Sequence, residues 1–294
     1  MFGFKKRSAA KGKNDLGGIL NALCKREISI KTCKAKKGGL PTRSKFGGNP
    51  TVPSGFEWPR FSAKNYDDEV ANRPLSFLCQ IDLSDVAALD KDNLLPKRGL
   101  LLFFYELESM AWGFDPTDLG CSRVYFFENT ASLVSAPFPD DMADEYKIKE
   151  YDLKFSAADS YPNYEELEYH AKVDVDWEDY DNVLEKRGYA GDFERHKLLG
   201  YANIIQSEML TECERTTRGL YCGNPESYAS TPSDVKDDVE KKAAEWILLF
   251  QMASIEDDDF ELMFGDVGNI YFYIKKQDLK DQNFDKAWLV LQCG

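Results

Sequence analysis

Gln80 and Gln251 each interrupt an otherwise apolar run, LSFLCQIDL (75–83) and WILLFQMAS (246–254). Asp82 closes the first run, and Asp266 follows the second within GDVG (265–268). A carboxamide buried in a strand must find hydrogen-bond partners. Two readings are open. Each amide ties a neighbouring loop to the sheet, or Gln80, Asp82, Gln206, Gln251 and Asp266 line a shared cleft between two halves of the chain, open to a ligand or substrate. Lys45 opens KFGGNP (45–50). There the amides of Gly47 and Gly48 offer a phosphate cradle, or the glycines serve turn geometry alone. Neither GxxxxGK[ST] nor GxGxxG occurs. Trp58 is either a loop anchor or an exposed recognition aromatic.

The remaining chemistry-bearing types are sparse. His170 and His196 are the two histidines, and neither sits in an HExxH or HxH spacing, so a zinc site or a Ser-His-Asp triad has little support. Glu256, Asp257, Asp258, Asp259 and Glu261 lack the alternation and the glycine of an EF-hand loop and read as a solvated acidic turn. No cofactor, metal or catalytic residue is expected from the spacing.

These residues need elements to position them. Ser44 to Pro59, SKFGGNPTVPSGFEWP, is a shaped loop in which Gly permits positive φ and Pro fixes it. The strands expected after it are 75–83, 100–106, 122–128, 151–157, 245–254, 269–275 and 288–293. LLLFFYE (100–106) is apolar on both faces and predicts a strand covered on both sides. An interrupted helix is expected before Gly188, and a short one over 16–26 capped by Asp15. An order of features repeats. A glycine-bearing loop (45–50, 196–203), a Gln-bearing strand, a glycine (Gly99, Gly268) and two further strands follow one another twice. The expected fold is α+β and β-rich, internally duplicated, with two related sheets packed into one body with peripheral helices. Its parts are a basic arm with a short helix over 1–39, a first half over about 40–138, an acidic connector over about 139–195 and a second half over about 196–294.

The 294 residues are 43% hydrophobic and 13% aromatic, enough for a substantial core. Net charge is −14 and unevenly spread. Residues 1–45 hold 13 Lys/Arg against Asp15 and Glu27, while the rest hold 24 bases against 49 acids. Such a body repels nucleic acid and favours a basic protein partner. Seven scattered cysteines without a CxxC, no secretory-type leader and no run of about 20 apolar residues predict a cytoplasmic protein with reduced thiols.

SKFGGNPTVPSGFEWP, PLSFLCQIDL, LPKRGLLLFF, RVYFFEN, HKLLGYANIIQSEM, EWILLFQM, FGDVGNIYFYI and DLKDQNFDKAWLVLQC occur in this order. Together they resemble the YwqG family, a bacterial group of unknown function, over about residues 40–293. The resemblance implies a cytoplasmic α+β fold with internal duplication and carries no catalytic residues. Ala202 stands where the family often has Pro, and Met263–Phe264 where it often shows Trp. The function expected is a non-catalytic interaction or immunity-type role. The alternative is a ligand-binding protein or enzyme using a cleft between the halves.

Overall fold

The computed structural model describes residues 15–294 except 37, 39, 174 and 190–194. The first 14 residues of the expected basic arm lie outside the described residues. Ten strands form one sheet: β1 (Lys25–Lys34), β2 (Lys45–Phe46), β3 (Ser76–Asp82), β4 (Leu100–Tyr105), β5 (Ser122–Phe127), β6 (Tyr151–Ser160), β7 (His196–Leu199), β8 (Trp246–Ala253), β9 (Asn269–Lys275) and β10 (Trp288–Gln292). Their order is β10-β9-β8-β7-β1-β6-β2-β3-β4-β5, and every neighbouring pair is antiparallel. The expectation of two packed sheets is thereby corrected. β1 and β6 pair along their full lengths, from Lys25↔Ser160 to Lys34↔Tyr151, and join both wings into one ladder.

The expected arm over 1–39 is also corrected in part. Its short helix is present at Leu16–Leu23, with the Asp15 carboxylate accepting from Gly18 N. The basic segment after it is the central strand β1, which turns Ile28 and Ile30 into the core. Each wing consists of four strands that follow one another in chain order within this sheet. The wing β2–β5 leans on β6, and the wing β7–β10 leans on β1.

The wings curl toward each other. Phe103 of β4 meets Phe250 of β8 and Phe272 of β9, with ring centroids 4.5 and 5.1 Å apart. Loop 107–121 crosses to the far edge, where Leu291 N and Trp288 Nε1–H donate to the carbonyls of Trp112 and Gly113 at 2.9 Å. Gly113, at φ +87°, permits this approach, because a Cβ there would lie 1.9 Å from the Leu289 oxygen. Leu101, Phe103 and Tyr105 face the interior, while Leu100, Leu102 and Phe104 pack beneath Phe56 and Trp58. All six residues of β4 are buried, so the doubly covered strand is present. On the other wing, the helices Leu210–Thr216 and Ser233–Ala243 cover the outer face around Trp246, Tyr271 and Trp288. The interrupted helix before Gly188 is Tyr164–Ala171 followed by Trp177–Lys186. Among the described residues no helix is long and apolar enough to cross a membrane.

Candidate functional site

The polar residues inside the strands assemble into one arrangement that occurs in each wing. Lys45 in β2 stands opposite Gln80 in β3, and Lys197 in β7 stands opposite Gln251 in β8. The Gln80 carboxamide accepts from Thr51 N at 3.0 Å and donates to the carbonyls of Pro41 and Arg43 at 2.7 and 2.8 Å. The Gln251 carboxamide accepts from Asn203 N at 2.9 Å and donates to the Arg195 carbonyl at 2.9 Å and to Asn203 Oδ1. Both side chains are fully buried. Each therefore clamps the loop that enters and leaves its neighbouring strand, and of the two readings the tie between loop and sheet is the one with contacts behind it. A β-bulge sits just before each glutamine, between Phe77 and Cys79 and between Leu248 and Phe250.

The lysines are equally engaged. Lys45 Nζ meets Glu150 Oε2 at 2.8 Å and donates to the Asn49 carbonyl at 2.7 Å. Lys197 Nζ meets Glu27 Oε2 at 2.9 Å in a site closed to water. Burial pulls the Lys197 pKa below its ordinary value, and the Glu27 carboxylate opposes that shift. Arg43 pairs with Glu150 and Asp152, and Arg195 stands 3.7 Å from Glu27. Behind each pair the chain turns at a positive-φ glycine. A Cβ on Gly48 would strike Glu150, and one on Gly200 would strike Ser160 and Glu27. An anion at Gly47 and Gly48 would therefore confront the Glu150 carboxylate, so turn geometry accounts for the KFGGNP glycines.

The other expected site residues are dispersed. Asp82 accepts from Ser84 N at 2.9 Å and caps a four-residue helical turn. Gln206 is exposed, and its backbone N–H donates to the Gln292 side chain at 3.0 Å. Asp266 is exposed, and its carbonyl accepts from Gly294 N. Trp58 is half-buried, donates from Nε1 to the Leu75 carbonyl at 2.8 Å and stacks edge-on with Phe104. Sequence reasoning missed Lys197, Glu27, Glu150 and Gln292. The signal was a charge or amide inside HKLL, KREISI and WLVLQ.

An open surface lies beyond the top of β1 and β6. The acidic segment is a hairpin, Ile255–Asp257 paired with Phe260–Leu262, rather than a plain turn. Two grooves flank it. One, of about 470 Å³, reaches Cys33, Lys34, Lys149 and Tyr151. The other, of about 700 Å³, reaches Thr32, His196, Ser254 and Met263. Tyr151 Oη donates to Asp257 at 2.5 Å, and Lys149 pairs with Asp257 and Asp259. These bonds hold the Asp257 carboxyl well below the usual carboxylate range. His196 Nδ1 accepts from Ala253 N at 3.1 Å, which leaves the proton on Nε2. Burial lowers its pKa to about 4, so it is neutral at pH 7. Glu256 and Asp258 are exposed at the lip of both grooves. Among the described residues, no group of three or more His, Cys, Asp or Glu is placed to hold a metal ion.

A ten-stranded curled antiparallel sheet with helices on its outer faces defines an α+β protein whose internal polar residues serve the sheet. The chain belongs to the family described as a domain of unknown function (DUF1963), whose model matches residues 44–293. Comparison with curated proteins yields no match.

Proposed function

We propose that this protein is a non-catalytic interaction protein, of the adaptor or immunity type, that receives a basic protein segment on the acidic hairpin and its two grooves. The observation that carries the reading is a contrast between two sets of polar groups. Gln80, Gln251, Lys45 and Lys197 are engaged within the fold, whereas Glu256 and Asp258 stand in solvent beside open grooves. The groove beside His196 is lined by Glu256, Asp257 and Asp258 and, among the described residues, by no lysine or arginine, and charges of one sign along a groove raise the local concentration of opposite charge and speed encounter. The test is calorimetry with a lysine-rich peptide at two salt concentrations. The expected result is binding that weakens with salt and falls about tenfold or more in the Glu256→Lys, Asp258→Lys variant, because steering by exposed charge is screened. Absence of binding at low salt sinks the reading.

We also infer that the two wings descend from one duplicated unit, in keeping with a YwqG-like family. The support is the repeated set of Gln clamp, Lys–Glu pair, positive-φ glycine and β-bulge. Gly99 and Gly268 add to it, since each precedes the third strand of its wing and abuts a carbonyl of the fourth, that of Phe127 or Gln292. A cytoplasmic location is part of the same proposal and rests on seven unpaired cysteines.

A further inference from the structure

At the other end of the central strands, where β6 stops at Ser160, four aromatic side chains converge. Tyr161, Trp177, Tyr180 and Tyr189 line a pocket of about 220 Å³, together with Asn163 and Asp181. Tyr161 and Tyr189 meet edge-on at 5.4 Å, and Trp177 stands 5.5 Å from Tyr164 and 6.1 Å from Tyr180. Tyr180 has a structural role, since it is buried and donates to the Pro162 carbonyl at 2.6 Å. Trp177 has no such explanation. It is the first residue of its helix, behind the Asp176 cap, and is 56% exposed. An indole that open to solvent contributes little to a core.

The electrostatics point to one class of ligand. Glu165, Asp176, Glu178, Asp179, Asp181 and Glu185 are exposed on and beside the two helices around the pocket, an acidic excess over Lys172, Lys186, Arg187 and Arg195, and Asp181 lines the pocket itself. Aromatic faces attract cations through the ring quadrupole, and indole does so best. Arg187, 5.0 Å from Tyr161, and Arg195, 5.7 Å from Tyr189, already engage two of these rings, which leaves the exposed Trp177 indole to an added cation. The volume lies below that of most small-molecule sites and suits a head group rather than a whole cofactor.

We propose that this pocket is a receptor for an organic cation, a guanidinium or alkylammonium group seated against the Trp177 indole with the Asp181 carboxylate as counter-charge. The cation is either a free small molecule or a side chain of a bound protein segment. The site is separate from the hairpin grooves, so it stands whether or not the hairpin receives a partner.

The test follows the tryptophan indole N–H resonances of the full-length protein during titration. The probes are tetramethylammonium, N-acetyl-arginine amide, an arginine-containing peptide and the neutral isostere neopentyl alcohol. A saturable shift of the Trp177 resonance with the cations, and none with the alcohol, is expected. Asp181→Asn, a surface change that leaves the fold intact, weakens binding about tenfold, and Trp177→Ala abolishes it by calorimetry. Comparable affinity for the amide and the peptide identifies a small-molecule site. Affinity for the peptide higher by about a hundredfold or more identifies a partner's side chain. The Glu256→Lys, Asp258→Lys variant leaves the Trp177 shifts unchanged, which separates this site from the hairpin. No saturable shift with any cation, or equal binding of the alcohol, overturns the proposal. So does an affinity unchanged by Asp181→Asn.

Discussion

Gln80→Ala removes an acceptor from Thr51 N and a donor from the carbonyls of Pro41 and Arg43, at a position closed to water. Buried groups left unpartnered cost about 1–3 kcal/mol each, so the variant is expected to lose about 3 kcal/mol or more. Gln251→Ala is expected to match it, because its three bonds do the same for the other wing. Urea melts of both variants check this, and a change under about 1 kcal/mol in either would mean that water replaces the amide. Trp58→Ala is expected to cost about 3 kcal/mol through lost packing on Phe104 and the bond to Leu75. An unchanged midpoint with weakened partner binding would make Trp58 a recognition residue instead. The glutamines were legible because an amide in an apolar run stands out. Lys197 was not, since HKLL is too short to announce itself as a strand, and its partner Glu27 lies 170 residues away.

Elements were read well where one period dominated and poorly where contacts over long sequence separations decided the outcome. β4, β8, β9 and β10 announced themselves as apolar runs. β1 did not, because in KREISIKTCK only Ile28 and Ile30 mark the core face, and basic residues suggested a tail. Its strand state comes from pairing with β6 and β7, distant in sequence. The helix Leu210–Thr216 gives a second element-scale expectation. Burial against the sheet, with Glu208 and Asp118 adding like charge, raises the Glu212 pKa to about 7. A carboxyl whose folded value lies above its unfolded value loses its proton first in the unfolded chain, so stability falls as pH rises from about 4.5 to about 7. His170 and His196, lowered to about 4 by burial, act in the opposite sense between about 4 and 6.5 and together outweigh Glu212 alone, while Glu166, raised to about 7 by burial, acts in the same sense as Glu212. Glu212→Gln isolates the Glu212 contribution. The variant's Tm should gain on the parent's across that window and level off above it. A constant difference would show that Glu212 titrates normally.

The order of strands sets the behaviour of the whole molecule. The first 140 residues supply β1 to β5 and the remainder supply β6 to β10, yet β1 belongs to the wing of β7–β10 and β6 to the wing of β2–β5. Each half therefore gives up its longest strand to the other. A chain cut within the exposed turn at Asp140 and Asp141 should yield two fragments that cannot complete their own wings. Lys197 without Glu27 and Lys45 without Glu150 would each be a buried charge lacking its partner, a loss of about 3–5 kcal/mol per pair before any sheet hydrogen bonds are counted. Against a domain stability of about 5–15 kcal/mol, neither fragment should fold as a monomer. Mixed in equal amounts they should recover one compact complex of the parent's mass, with the parent's near-ultraviolet circular dichroism. Each fragment alone should remain unfolded or self-associate, exchanging its free strand with a second copy. Light scattering coupled to gel filtration decides the matter. A folded monomer from either fragment would mean that β1 or β6 can return to its own half, and that exchange between the wings is not needed for either to fold.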